Sequence, residues 1–201
     1  METYKQQFIE FMVASDALTF GEFVTKSGRQ TPYFINSGNF ADGPRISQLG
    51  EWYARAINDR IGSGCDNLYG PAYKGIPLAV TTAVALWDLF QHRVTYTFNR
   101  KEEKAHGEKG ALVGHRYVGG EKVLIIEDVV TAGTSVRESL TLLKAIADVE
   151  IVGVIVSVDR QERGQGERSA LDELHTTPMG PGGVLSLLGA LFLASGLLAG
   201  A

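Results

Sequence analysis

An α/β domain built on a parallel sheet is the fold class this chain predicts, and three observations carry the prediction. Val123-Leu-Ile-Ile126 is a short, β-branched apolar run just after the turn-like Gly119-Gly120, as expected of a strand buried on both faces. A small-residue turn, Thr131-Ala-Gly-Thr-Ser135, follows it, and Val136, Ser139, Leu140, Leu143 and Ala147 then keep one helical face small or apolar. The same order of strand, glycine-framed loop and helix recurs over residues 67–90.

The elements can be justified in chain order. Tyr4, Phe8, Phe11 and Met12 recur at helical spacing between polar residues, so the chain opens on an amphipathic helix whose stripe is core. Residues 18–38 alternate apolar and polar around Ser27-Gly28, the pattern of a β-hairpin able to cover a site. Asp42-Gly-Pro44 is a turn, and Ile46, Leu49, Trp52, Tyr53 and Ala56 mark a scaffold helix through Ile57 that ends near Gly62. Residues 67–75 read as a short strand breaking into a glycine-framed loop, where small residues let backbone approach a ligand closely. Ala79, Ala83 and Leu86 give the helix over 76–90 a face that lies close against a sheet, and 94–98 is the next strand. Residues 99–110 are almost wholly charged and glycine-containing, a surface loop. After the central motif an apolar strand covers 149–158 and ends at Asp159-Arg160.

Chemistry concentrates where these strands end. Ser135-Val-Arg-Glu138 fits a capping box, which puts the turn 131–135 at a helix N-terminus. Free N–H groups and the helix dipole there favour an anion by ~0.3–2 kcal/mol. Glu127 and Asp128, just upstream, repel phosphate unless they serve hydroxyls or a metal, so the combination suits a ribose phosphate. Neither G-x-x-x-x-G-K-[ST] nor a strand followed by G-x-G-x-x-G is present. Lys26 and Lys74 are, on general grounds, solvated loop charges. Arg160 can fork onto a ligand carboxylate or pair with Asp159 or Glu162. Arg100, Lys101, Lys104, His106 and Lys109 form either a solvated face or the neutraliser of a polyanion, and their place directly after a strand favours the second.

Composition narrows the classes. With 201 residues, 44% hydrophobic and 21% charged, the chain suits one soluble globular domain with a full core. A net charge of −4 argues against nucleic acid as a partner. A lone cysteine, Cys65, excludes an intramolecular disulfide, fits a reducing cytoplasm, and reads as a small core or loop residue. The polar N-terminus lacks a secretory signal, so a cytoplasmic protein is expected.

Four of these stretches share a resemblance. The segment from Glu127 to Ser135 resembles the 5-phosphoribosyl-1-pyrophosphate (PRPP) signature of the type I phosphoribosyltransferases. Lys26-Ser-Gly28 with Pro32-Tyr-Phe34, Gly70-Pro-Ala-Tyr-Lys-Gly-Ile-Pro77, and Phe98-Asn-Arg-Lys-Glu-Glu-Lys-Ala-His-Gly107 resemble the hood, pyrophosphate loop and catalytic loop of the orotate phosphoribosyltransferase family. The resemblance covers about residues 1–175 and implies the type I phosphoribosyltransferase fold, a central parallel sheet flanked by helices with a small N-terminal hood. It implies transfer of the phosphoribosyl group from PRPP to orotate, giving orotidine 5′-monophosphate and pyrophosphate for pyrimidine synthesis.

By the same resemblance, PRPP falls to Lys26, Tyr73, Lys74, Arg100, Lys101, Lys104 and His106. It falls also to Glu127, Asp128, Val129, Val130, Thr131, Ala132, Gly133, Thr134 and Ser135, the two acids taking ribose hydroxyls and the turn the 5′-phosphate. Orotate falls to Lys26, Phe34, Ile35, Thr131 and Arg160, and the catalytic charge to Arg100, Lys101, Lys104 and His106. Mg²⁺ is expected, held mainly by PRPP and water rather than by side chains. The Ala72–Tyr73 peptide is expected to be cis, and the loop 100–110 to reach the partner's site in a homodimer. Three alternatives stay open: a purine phosphoribosyltransferase, which Lys26, Arg160 and the 100–106 loop disfavour; a PRPP-sensing regulator, for which no nucleic-acid surface is visible; and an inactive relative.

The chain is read as a single domain with a hood at about 1–40, a catalytic core at about 41–175, and a tail at 176–201. The tail is uncharged and apolar where the resembled family has a further strand and an amphipathic helix. Its apolar run from Val184 is about 18 residues, at the lower edge for a membrane span, and Gly189, Gly196 and Gly200 weaken it as a helix. A cytoplasmic, partly packed or disordered segment is expected rather than a membrane anchor.

Overall fold

The computed structural model describes residues 3–24, 28, 30–101, 110–159, 168–175 and 183–187. Among these, β1 (Leu18–Val24) and β2 (Gln30–Ile35) pair antiparallel as the hood hairpin, with a register shift between Phe20 and Phe23. The main sheet comprises β3 (Asn67–Tyr69), β4 (Thr95–Asn99), β5 (Leu112–Gly114), β6 (Lys122–Val130), β7 (Glu150–Asp159) and β8 (Gly183–Ser186), in the order β5-β4-β3-β6-β7-β8. Every pair in it is parallel except β4 with β5.

The apolar run at 123–126 is continuous because both faces of β6 are covered, and its alternation sorts the side chains between two cores. Leu124 and Ile126 pack with Phe8, Phe11 and Met12 of α1 (Thr3–Ala14), Leu49, Tyr53 and Ile57 of α2 (Gly43–Ile61), and Leu78 and Leu86 of α3 (Gly75–Phe90). Val123 and Ile125 pack on the other face with Val136, Leu140 and Leu143 of α4 (Thr134–Ile146) and Leu174 of α5 (Ala170–His175). Each fully buried side chain of this kind contributes about 1.5–3 kcal/mol. Cys65 lies in the first core, where burial pushes its thiol up to about 12.

Several boundaries differ from the sequence reading. The turn expected at Asp42-Gly-Pro44 is the start of α2. Asp42 caps it, accepting the Arg45 N–H at 2.8 Å, and Pro44 occupies the first turn, where its missing N–H has no helical partner to lose. β6 does not stop before the carboxylates but carries them within the strand to Val130. β5 was not anticipated; three residues at a sheet edge are too few to show a period. Within the stretch read as an uncharged tail, residues 183–186 form β8 beside β7, and Val184 and Leu187 are buried. Among the described residues, no helix is long and apolar enough to cross a membrane.

The topology fixes where a ligand can go. From β3 the chain runs through α3 to β4 on one side, and from β6 through α4 to β7 on the other, so the strand order reverses between β3 and β6. β3 ends at Tyr69, opposite Ile125, while β6 runs on to Val130, and such switch points open a crevice.

α2 and α3 close over the first core at one very small contact. A Cβ on Gly50 would lie 2.8 Å from the carbonyl carbon and oxygen of Thr81. Gly50→Ala is therefore expected to destabilise the fold by about 1–3 kcal/mol through overpacking, seen as a lower urea midpoint at unchanged slope. A midpoint equal to wild type would show that the two helices part freely.

Candidate active site

The period-two alternation of β6 runs on into its acids and sends them to opposite faces. Asp128 continues the Leu124–Ile126 side and meets the hood's base: Ser37 Oγ donates to its Oδ2 at 2.5 Å, and Lys74 Nζ stands 3.1 Å from the same oxygen and 2.9 Å from Ser37 Oγ. Glu127 continues the Val123–Ile125 side and meets α4: Ser135 Oγ donates to its Oε2 at 2.6 Å, and the Asp128 N–H to its Oε1 at 3.1 Å. Their main-chain carbonyls are held by hydroxyls from two further elements. Tyr53 of α2 donates to the Glu127 carbonyl at 2.7 Å, and Ser157 of β7 to that of Asp128 at 2.5 Å.

These contacts drive the two acids apart in acidity. Burial pushes Glu127 up to about 7, with help from the neighbouring Asp128 charge and against the Ser135 bond. Burial also opposes ionisation of Asp128, but the Ser37 hydrogen bond and the Lys74 ammonium outweigh it and hold that carboxyl below its ordinary value. Near neutrality, then, Asp128 is ionised and Glu127 titrates. Burial holds the Tyr53 phenol well above its usual value, so it stays a donor.

The capping box expected at Ser135 does not form. Gly133, at φ +73, caps α4 without a side-chain bond, because the Ser135 hydroxyl goes to the stronger acceptor, the Glu127 carboxylate. Thr131, Ala132, Thr134 and Ser135 are exposed and open to a ligand. Val130 is buried in the second core and Val129 packs on the first, so only their backbone faces the turn. Arg137 donates to the Ala132 carbonyl at 2.7 Å and pairs with Glu173 of α5, which ties the turn to that helix.

The second loop is closed by its glycines. A Cβ on Gly70 would stand 2.1 Å from the Gly75 carbonyl oxygen, and one on Gly75 2.7 Å from the Gly70 carbonyl carbon. The Ala72–Tyr73 peptide is cis, as the resemblance implied. Asn99 Oδ1 accepts the Ala72 N–H at 2.8 Å, and Arg100 N–H donates to the Ala111 carbonyl at 2.8 Å, closing the base of the charged loop. Lys101 Nζ lies 5.1 Å from the centre of the exposed Tyr73 ring. In the hood, β2 alternates so that Phe34 is exposed, tilted against Phe23, whereas the Ile35 side chain is in the core.

The structure thus gathers Lys74, Glu127, Asp128 and Ser135 directly, with Tyr73, Arg100 and Lys101 alongside the second loop. Lys26, Lys104, His106 and Arg160 lie outside the described residues. Sequence reasoning missed Ser37, Tyr53, Asn99 and Ser157. Among the described residues no group of three or more His, Cys, Asp or Glu side chains could hold a metal. Two buried carboxylates, one beside the Lys74 ammonium and the other beside Ser135, together with an open helix N-terminus can accept a pair of hydroxyls and a phosphate from one ligand.

The phosphoribosyl transferase domain family matches residues 36–176. Orotate phosphoribosyltransferase of Clostridium acetobutylicum is 55% identical over 174 residues, covering 87% of this chain and 78% of its own. That of Lachnoclostridium phytofermentans is 53% identical over 174 residues, covering 87% of this chain and 77% of its own. The solved orotate phosphoribosyltransferase of Francisella tularensis superposes with a TM-score of 0.78 at 39% identity, over 90% of this chain and 84% of that one. A solved adenine phosphoribosyltransferase matches at a TM-score of 0.59 and 14% identity, over 92% of this chain and 100% of that one, a likeness of fold alone. The fold is therefore shared across bases.

Because Glu127 carries a raised value, about 7 against an ordinary 4.5, its contribution to stability is present below 4.5 and lost as pH rises through 7. Glu127→Gln removes that loss. Thermal unfolding from pH 5 to pH 8 should show the variant gaining on wild type as pH rises, by on the order of 1–3 kcal/mol. Parallel curves would mean that Glu127 titrates in the fold as it does in the unfolded chain.

Proposed function

Since the chain belongs to the phosphoribosyl transferase domain family and, within it, to the orotate phosphoribosyltransferases, we propose that it transfers the 5-phosphoribosyl group of PRPP to orotate, giving orotidine 5′-monophosphate and pyrophosphate. The observation that carries this reading is the acid pair at the switch point, flanked by Lys74 and by the open turn that enters α4. Asp128 and Glu127 accept the ribose hydroxyls, and the turn 131–135 receives the 5′-phosphate on backbone N–H groups and hydroxyls. C1′ is thereby left clear to develop positive charge as pyrophosphate departs.

Catalysis here is positioning together with electrostatic stabilisation. Lys74, Arg100 and Lys101, with Lys104 and His106, neutralise the leaving group. Lys26, Phe34, Thr131 and Arg160 receive orotate, with the Arg160 fork on its carboxylate and Ile35 supporting β2 from the core. Mg²⁺ accompanies PRPP rather than a protein cage. The donor set supports this, since among the described residues the site offers two carboxylates and one oxygen of Asp128 already faces Lys74 and Ser37. Lys74, Arg100 and Lys101 would be joined there by the positive charge that magnesium would supply.

The active form is a homodimer in which the charged loop serves the neighbouring subunit. Within one chain the Arg100 N–H meets the Ala111 carbonyl and Lys101 Nζ lies near the Tyr73 ring, and the segment proposed to reach the partner's site is the loop 100–110 with Lys104 and His106. A cytoplasmic setting accords with the single buried thiol.

Incubation with orotate, PRPP and Mg²⁺ should consume orotate and release pyrophosphate in equal amounts; pyrophosphate release that ignores orotate would refute the reading. Arg160→Ala should raise the orotate KM by the equivalent of ~2–5 kcal/mol while leaving the PRPP KM nearly unchanged, and equal weakening of both substrates would make Arg160 structural. Lys104→Ala and Asp128→Asn homodimers should each be nearly inactive. Mixed and allowed to exchange, they should recover about a quarter of wild-type activity, since half the dimers are then mixed and each has one of two sites intact. Activity held at the mutant level despite exchange would place the loop in its own chain's site.

A further inference from the structure

Ser37 lies outside every stretch that the chemistry singled out, yet its hydroxyl is the hinge of the contact between hood and acid pair. It belongs to a single 3-10 turn, Ser37–Asn39, directly after β2. That turn is fixed from several sides. Gly38 N–H donates to Asn36 Oδ1 at 3.1 Å, Asn36 N–H to the Ala17 carbonyl at 2.8 Å, and Asn39 Nδ2 to the Asp16 carbonyl at 2.7 Å. The hydroxyl has one proton, and it goes to Asp128 Oδ2; its lone pairs then face Lys74 Nζ. This direction of bonding requires an ionised Asp128 on one side and an ammonium on the other.

We infer that Ser37 is a positioning residue for PRPP, acting through Asp128. It fixes the rotamer and the charge of the carboxylate that receives a ribose hydroxyl, and it locks that carboxylate to the base of the hood. The inference deepens the function proposed above and rests on it for the identity of the ligand. Other titratable or charged groups facing Asp128 among the described residues are Glu127 on its own strand, Lys74 before α3, and Tyr53 on α2. Of the groups bonded to its Oδ2, only Ser37 is an uncharged donor held in place by its own turn. Lys74, by contrast, is largely exposed and able to leave for pyrophosphate.

The test compares wild type with Ser37→Ala and Ser37→Thr. Losing one hydrogen bond to a charged group should raise the PRPP KM of the alanine variant roughly tenfold, with the loss falling on PRPP rather than on the orotate KM or kcat. The acid limb of its kcat/KM for PRPP should move to higher pH, because a carboxylate without its donor takes up a proton sooner. Threonine keeps the hydroxyl and should restore both. An unchanged PRPP KM, equal loss for both substrates, or a threonine variant no better than alanine would overturn the inference. The Asp128 carboxyl titration, followed by NMR in the ligand-free protein, separates this idea from the proposed reaction. An upward move in Ser37→Ala alone sustains the Ser37–Asp128 link even if wild type fails to turn over orotate, and no move refutes it even if wild type is fully active.

Discussion

Two adjacent carboxylates held almost out of water at the end of a buried strand are the constraint on which the rest of this structure depends. Glu127 and Asp128 are 7% and 9% exposed, and an ion moved from water into such a setting costs several kcal/mol unless partners offset it. The side chains that meet the carboxylates come from elements far apart in the chain, Ser37 below the hood, Lys74 before α3 and Ser135 in α4, while Tyr53 in α2 and Ser157 in β7 hold the main-chain carbonyls of the pair. Each of those elements must be in place before the pair is tolerable, so assembling the fold and preparing the site are one event.

The partition between the two acids follows from strand geometry. Because neighbouring residues of a strand face opposite ways, one carboxylate finds an ammonium and a hydroxyl on the hood side, while its neighbour, on the α4 side, finds a hydroxyl and a backbone N–H but no cation among the described residues. Asp128 is thereby kept charged and Glu127 is left near the point of titration. A pair of like groups thus acquires two behaviours from environment alone.

Much of this was legible in the sequence because it is local. The apolar run at 123–126, the small-residue turn at 131–135, the glycine frame of 70–75 and the helical stripe of Phe8, Phe11 and Met12 each signal themselves within a few residues, and all four stand in the structure. What escaped depends on contacts across the fold. Ser37 meets Asp128 over 91 positions of chain and Tyr53 meets Glu127 over 74, and neither residue departs from what an ordinary turn or scaffold helix contains. The capping box failed for the same reason: a local rule assigned Ser135 to its own helix, and a buried carboxylate from another element took it. β5 and β8, three and four residues long, are defined by their neighbours rather than by any pattern of their own.

The opposed orientation of Glu127 and Asp128 makes the site a matter of parity. β7 carries a register shift facing Val123 and Leu124, which brings Gly153 rather than Val152 opposite Leu124 and keeps the two strands in phase as far as the acids. An insertion or deletion of one residue in β6 downstream of that point would turn each carboxylate toward the other's partners, setting the second acid beneath α4 and the first beside Lys74. A change of two residues would restore the facing while moving the pair along the strand by one full pleat. The spacing from Leu124 to Asp128 is thus a matter of facing rather than of reach: even steps preserve the chemistry, odd steps exchange it.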